Sequence, residues 1–320
     1  MIRSLHRWPG VIAAVLLAIV ALSGTVLSTM PAIDAARSGS VANMTVADLA
    51  TTIANAHSGV EEIRRAPSGL VTATYADGDA MVTAVVDPAT GAEIAAARRS
   101  AFEMWLVDLH RSLFLGDNGR IVVAVAAGLM LLMTASGVVL LARRNGGYRR
   151  IFSPMQGNGP ARRHAAIARM AMIGLVVSSL TGLWMTASTF DLLPDGGAAP
   201  AFPAEVSGMT GAPLDRMAPL RDTPVSELRE LSFPFAGDAT DVFTLRTDRG
   251  AGYLDQGTGA LLAWDDLSGW ARVSETIYML HTGQGAAVLG LVLGLMALGV
   301  PGMAATGVLV WLAGRRGRPR

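Results

Sequence analysis

Cysteine and lysine are both absent from this 320-residue chain. Without cysteine there is no disulfide, iron–sulfur cluster, thiolate-held zinc or c-type haem attachment. Without lysine, arginine carries the basic charge, which reads as coding bias rather than function. Acidic residues are absent by place rather than by number: none of the 25 falls in 1–10, 143–164 or 314–320. No glycine-rich dinucleotide fingerprint occurs in a strand–helix context, so any flavin or nicotinamide chemistry must come from a partner. No Ser/His/Asp or metal set outside the histidines points to a hydrolase.

What the chain does contain is apolar sequence, 51% of its residues, with a mean hydropathy of +0.42. That is too apolar for an ordinary soluble domain. Four runs, 11–30, 121–142, 165–188 and 286–313, reach the roughly 20 residues a membrane helix needs. Each carries internal Gly, Ser or Thr, and Pro301 should kink the fourth. Two water-soluble stretches lie between them. The first reads as a helix ("TVADLATTIANAH") followed by strands within "GLVTATYADGDAMVTAVVDPATGAEI". The second reads as a loop, a short helix ("PVSELREL") and strands within "DVFTLRTDRGAGYLDQGTGALLAWDD". Each then passes through a Trp-containing amphipathic segment into the next span.

Charge sets the expected topology. Arg3, Arg7, Arg143, Arg144, Arg149, Arg150, Arg162, Arg163, Arg169, Arg315, Arg316, Arg318 and Arg320 fall on one side and every acidic residue on the other. The positive-inside rule then places both termini in the cytoplasm and both soluble stretches outside. These arginines are topology signals, not a nucleic-acid site. The resulting organisation is a first transmembrane helix in 1–30, an external domain in 31–108, a second helix in 109–144 and a cytoplasmic loop in 145–163. A third helix follows in 164–188, a second external domain in 189–280, and a fourth helix with a basic tail in 281–320. The absence of acidic residues and paired broken helices in the spans disfavours a small-molecule transporter.

Of the five histidines, His6, His110, His164 and His281 sit at or just before the start of a span, while His57 ends a predicted soluble helix. His6 precedes Gly24, and His164 precedes Gly182, by the same number of residues; the intervals from His110 to Gly137 and from His281 to Gly307 differ by one. The chain therefore reads as two copies of a span–domain–span unit. The opening "LHRWPGVIAAVLLAIVALSG" could pass for a secretory signal, but its shared histidine spacing makes it a retained anchor. The expected fold class is membrane α-helical: a four-helix bundle built from the two repeats, with two small α+β external domains. Topology pairs His6 with His164 at the inner face and His110 with His281 at the outer face, the arrangement two bis-histidine haems require. Small residues on the facing helices would let a flat macrocycle pack closely. A straight helix would lift His110 roughly 16 Å off the apolar run, so a bend is expected at "GDNG" and again at "HTGQG". Arg169, just inside the third span, could contact a haem propionate or snorkel to lipid headgroups; Arg7 and Arg111 are weaker cases of the same kind. Trp8, Trp184 and Trp311 read as interface anchors, and His57 as a solvated helix-end residue.

"LHRWPGVIAAVLLAIVALSG", "LHRSLFLGDNGRIVVAVAAGLMLLMTASGVVLLARR" and "RHAAIARMAMIGLVVSSLTGLWM" closely resemble the PepSY-associated transmembrane helix family. That family includes iron-regulated membrane proteins and siderophore-iron reductases of Gram-negative bacteria, and the membrane part of sulfite-reductase-like flavoproteins. The resemblance implies PepSY-like external domains and b-type haem on His6, His110, His164 and His281. It also implies reduction of a periplasmic ferric species or electron exchange with a flavoprotein. The first functional expectation is thus an oxidoreductase-type electron carrier of the bacterial inner membrane. Two b haems would be fed by a separate cytoplasmic flavoprotein or quinol donor, and the acceptor would be a periplasmic ferric or ferric-siderophore species. The second is a membrane-anchored PepSY regulatory or binding module without redox activity.

Overall fold

The structure is a computed structural model and describes residues 1–154, 158–194 and 200–316. Arg318 and Arg320 of the basic tail, and 195–199 of the second soluble stretch, lie outside the described residues. The chain forms two compact units, one from 1–32, 100–193 and 277–320, the other from 33–99 and 194–276.

In chain order the helices are α1 (Ile2–Leu27), α2 (Met30–Arg37), α3 (Val46–Ala56), α4 (Ala101–Ser112), α5 (Gly116–Asn145), α6 (Pro160–Thr189), α7 (Ala218–Asp222), α8 (Gly269–Thr282), α9 (Ala287–Ala297) and α10 (Gly299–Arg316). The strands are β1 (Val60–Arg65), β2 (Val71–Asp77), β3 (Ala80–Val86), β4 (Glu93–Ala96), β5 (Leu228–Ser232), β6 (Val242–Thr247), β7 (Gly250–Asp255) and β8 (Leu261–Asp266).

The first unit is a helix bundle with four spans long and apolar enough to cross a membrane: α1 continued by α2, then α5, α6, and α9 with α10. The chain is a multi-pass membrane protein. Its inner packing combines small alanines with larger apolar side chains, with Ala13, Ala126 and Ala171 buried together with Leu17, Met130, Leu175 and Val300. Small residues let membrane helices approach closely. The expected bend before α5 is present. Leu113 and Phe114 take left-handed φ of 50° and 61°, and the Leu113 N–H closes the end of α4. A Cβ on Gly119 would lie 1.6 Å from the Ser112 carbonyl oxygen, so the hairpin of α4 and α5 needs a glycine there. The matching bend between α8 and α9 uses Gly283 and Gly285, both at φ 76°. In the fourth span, α9 ends at Ala297 and α10 begins at Gly299. Pro301 causes this break, because a proline ring clashes with the carbonyl four residues earlier, here that of Ala297.

The second unit differs from the expectation of two separate external domains. Both soluble stretches contribute to one antiparallel sheet of eight strands, ordered β4-β3-β2-β1-β5-β6-β7-β8. The two halves join where β1 pairs with β5, with Ile63 opposite Leu231 and Arg64 opposite Glu230. Ile63 and Leu231 are fully buried, and Arg64 bridges to Glu230 at 3.1 Å. The strand β1, "VEEIRR", carries too many charges to be recognised from local pattern alone. "PVSELREL" is not a helix: 225–227 is a single tight turn and 228–232 is β5. Leu228 and Leu231 are both buried, and pairing with strands on both sides overrides the local helix preference. The helix α3 forms as read. Thr45 and Asp48 make a reciprocal capping box, and Val46, Leu49, Ala50 and Ile53 bury one stripe against the sheet core. His57 ends this helix as expected but is not merely solvated. It stacks on Tyr75 at 3.8 Å, and its Nε2 lies 2.7 Å from the Gly91 carbonyl.

The turn before β4 and the turn before β8 share the pattern D-x-x-T-G, at 87–91 and 255–259. Asp255 is the more deeply engaged of the two aspartates. Its carboxylate accepts hydrogen bonds from the Ser207 N–H and hydroxyl and from the Gly257 and Thr258 N–H groups, at 2.7 to 2.9 Å. Burial alone would push this carboxyl up; the Ser207 and Thr258 hydrogen bonds outweigh it and hold the group well below the usual carboxylate range.

Two predictions follow the sheet. Leu231→Ala should destabilise it by about 2–5 kcal/mol, and amide exchange in the full-length chain should rise in β2 and β6 together; a rise confined to β6 would mean the halves fold independently. Asp255 has a depressed folded pKa, so its stabilisation is complete above its unfolded pKa of about 3.9 and is lost as pH falls through the lower folded value. The gap in thermal midpoint between wild type and Asp255→Asn should therefore be large near neutral pH and shrink on acidification. A gap independent of pH would contradict this.

Candidate functional site: two histidine pairs in the bundle

The structure brings the four span histidines together two by two within the helix bundle. The His6 and His164 ring centres are 6.1 Å apart with planes at 88°. Those of His110 and His281 are 6.2 Å apart with planes at 46°. The first pair stands at the N-terminal ends of α1 and α6, the second near the C-terminal ends of α4 and α8.

Each imidazole is held by its Nδ1. His6 Nδ1 lies 3.0 Å from the Met133 carbonyl and 3.0 Å from the Ser136 hydroxyl. His164 Nδ1 lies 3.0 Å from the Met303 carbonyl and 3.2 Å from the Thr306 hydroxyl. His110 Nδ1 meets the Val20 carbonyl at 3.0 Å and the Ser23 hydroxyl at 3.1 Å. His281 Nδ1 meets the Thr181 hydroxyl at 2.8 Å. All four hydroxyls donate backward to a carbonyl of their own helix, so each has its oxygen left to accept. The proton therefore sits on Nδ1, and Nε2 carries the lone pair. Among the described residues no hydrogen bond uses Nε2 of any of the four. This is the tautomer of a metal-binding imidazole, with its second nitrogen fixed by an outer partner.

The glycine of each Ser-Gly and Thr-Gly step makes room for a histidine from a neighbouring helix, and Gly137 and Gly307 also line the cavity beside the first pair. A Cβ on Gly24 would stand 2.7 Å from His110 Cε1, on Gly137 3.1 Å from His6 Cε1, on Gly182 3.2 Å from His281 Cε1, and on Gly307 3.5 Å from His164 Cε1. A histidine does not use the step on the span against which its spacing was counted in α1 and α6. His6 uses the step in α5, and His110 uses the step in α1; His164 and His281 repeat this exchange with α10 and α6. The outer hydroxyls Ser23, Ser136, Thr181 and Thr306 went unrecognised as histidine partners in the sequence, although the dipeptides containing them were the signal.

A cavity of about 1140 Å³ adjoins the first pair and is lined by both His6 and His164. It exceeds the roughly 300–1,000 Å³ of ordinary small-molecule sites. Arg7 lines it, as does Trp311. Arg169 does not; its Nε and one terminal nitrogen are buried without a hydrogen-bond partner among the described residues. Arg111 is exposed. Among the described residues no group of three or more His, Asp or Glu could hold a bare metal ion. Two imidazoles facing one another suit a metal whose remaining positions are filled by a second group.

The glycine clearances rank two substitutions. Gly24→Ala should lower the thermal midpoint of the purified protein, since overpacking costs about 1–3 kcal/mol. Gly307→Ala, with ordinary clearance, should leave it unchanged or raise it through helix propensity. The reverse order would contradict the packing described.

No curated protein matches the chain. The family model for the PepSY-associated TM region matches residues 3–313, nearly the whole bundle and sheet, and the chain belongs to that family.

Proposed function

We propose that the chain is a two-copy electron carrier of the bacterial inner membrane that holds two b-type haems, one between His6 and His164 and one between His110 and His281. The observation that carries this reading is the paired geometry of the imidazoles. Two imidazoles about 6 Å apart, each with its second ring nitrogen unbonded, leave room between them for one metal-centred group, and imidazole is a good ligand for haem iron. The observed separations are 6.1 and 6.2 Å, with all four Nε2 atoms open. The two-copy arrangement draws support from the repeated exchange of histidines and hydroxyl–glycine steps. Sidedness draws support from the arginine distribution, since the positive-inside rule favours a cytoplasmic face for the His6/His164 pair.

When bound, each haem would supply one-electron transfer. The protein's own residues supply the rest. The four imidazoles fix two sites separated along α1 by about 25 Å, at about 1.5 Å per residue. The hydroxyls and carbonyls on Nδ1 keep the ring nitrogen facing the metal unprotonated and raise its basicity. Ala13, Leu17, Ala126, Met130, Ala171 and Leu175 give the inside of the bundle an apolar lining. Electrons would enter from a cytoplasmic flavoprotein or a quinol and leave to a periplasmic ferric or ferric-siderophore acceptor. The competing reading, a PepSY regulatory module without redox activity, gives no role to four imidazoles held in one tautomer.

The test is haem content and paramagnetic resonance of the purified, haem-supplied protein. About two low-spin b haems per chain are expected. The two ring pairs differ in interplanar angle, 88° against 46°, so the two sites should give distinguishable low-spin signals. His6→Ala should abolish the first signal alone, and His281→Ala the second alone. Well under one haem per chain, or loss of the same signal in both variants, would overturn the assignment.

A further inference from the structure

The cavity beside His6 and His164 has a feature that the topology of the chain does not explain. Among the described residues four arginines line it, Arg3, Arg7, Arg143 and Arg144, and no acidic residue does. Arg3 and Arg7 are one helical turn apart on α1 and flank His6 in sequence, while Arg143 and Arg144 close the last turn of α5 beyond the Gly137 step. Among the described residues none of the four forms an ion pair. The Arg7 guanidinium rests 5.0 Å from the Trp8 ring centre. The positive-inside rule requires arginine near this end of the spans but not around one cavity. Arg149, Arg150 and Arg163 serve that rule equally and do not line the cavity. All four are exposed, so water screens part of their mutual repulsion, and a ligand bringing negative charge would relieve the rest. The wall between the arginines and the bundle core is apolar, with Leu17, Met130, Met172 and Leu175 among its residues. A ligand with a large apolar body and anionic groups at one end suits this lining.

We propose that Arg3, Arg7, Arg143 and Arg144 form a carboxylate cradle that takes the two propionates of the His6/His164 haem; this rests on the haem reading above. The cradle assigns the propionate edge to the arginine end of the cavity and gives no part in it to Arg169. Guanidinium groups pair with carboxylates through two parallel N–H donors. Their positive charge also favours the reduced, less positive iron, so the cradle raises the reduction potential of this site.

The experiment compares protohaem with haem dimethyl ester, whose propionates are esterified. Full-length protein made in haem-deficient cells and placed in zwitterionic-lipid nanodiscs is reconstituted with each, and the signal abolished by His6→Ala reports the site. The wild type should retain protohaem about tenfold or more over the ester. Arg143→Gln/Arg144→Gln should erase that preference and lower the site's reduction potential, while Arg149→Gln/Arg150→Gln should leave both unchanged. Equal retention of protohaem and ester by the wild type would overturn the cradle while leaving the haem reading intact. So would an equal loss in the Arg149/Arg150 variant. If the potential shifts only when anionic phospholipid is present, the cradle holds lipid phosphate and the propionate assignment fails. Absence of the His6-dependent signal from wild type loaded with either compound would overturn the haem reading and the cradle together.

Discussion

An imidazole in an apolar helix bundle must place its N–H on an acceptor, and here a neighbouring helix offers one: a carbonyl beside His6, His110 and His164 and a hydroxyl beside all four rings. This protein meets the constraint at each site in the same way. A serine or threonine turns its hydroxyl back onto its own helix and offers its oxygen outward. A glycine next to it removes the side chain that would block the approaching ring. The dipeptide is therefore a socket, and the histidine of another helix is what enters it. Because each socket lies on a different span from its histidine, the four contacts tie α1 to α4 and α5, and α6 to α8 and α10. The ring that satisfies its N–H also presents its other nitrogen, so the element that solves a packing problem also prepares a ligand.

The same economy explains why the entrance segments bend. A continuous helix through α4 and α5 would carry His110 far from the socket at Ser23 and Gly24. The left-handed residues Leu113 and Phe114, and the close approach permitted by Gly119, fold α4 back so that His110 reaches α1. In the second half, Gly283 and Gly285 do this work between α8 and α9. The halves are not identical, however. The last span of the second half is broken at Leu298 by Pro301, while α5 runs unbroken from Gly116 to Asn145.

In the other unit the decisive interaction is the pairing of β1 with β5. It places Ile63 against Leu231 and merges two stretches that are far apart in sequence into one sheet. Each half contributes an edge turn of the D-x-x-T-G type. Sharing one core lets two stretches that would each be small bury their apolar side chains together.

The spans, the two soluble stretches and the four histidines were legible in the sequence because their signals are local: apolar length, charge bias and repeated spacing. The proline break belongs to the same class. The helix read at "PVSELREL" failed because strand pairing on both sides, invisible to a local window, decides its state. The meeting of β1 and β5 was illegible for the same reason. Spacing along one helix marked the Ser-Gly and Thr-Gly steps but could not say which histidine enters which, since that depends on how neighbouring helices are set against each other. Sequence alone determined that the chain crosses a membrane four times with histidines at its span ends. Only the tertiary structure decided that each histidine is locked through Nδ1, that the rings stand about 6 Å apart, and that Arg3, Arg7, Arg143 and Arg144 rather than Arg169 face the cavity. Tautomer, ring separation and cavity lining are relations between helices, and no single helix contains them.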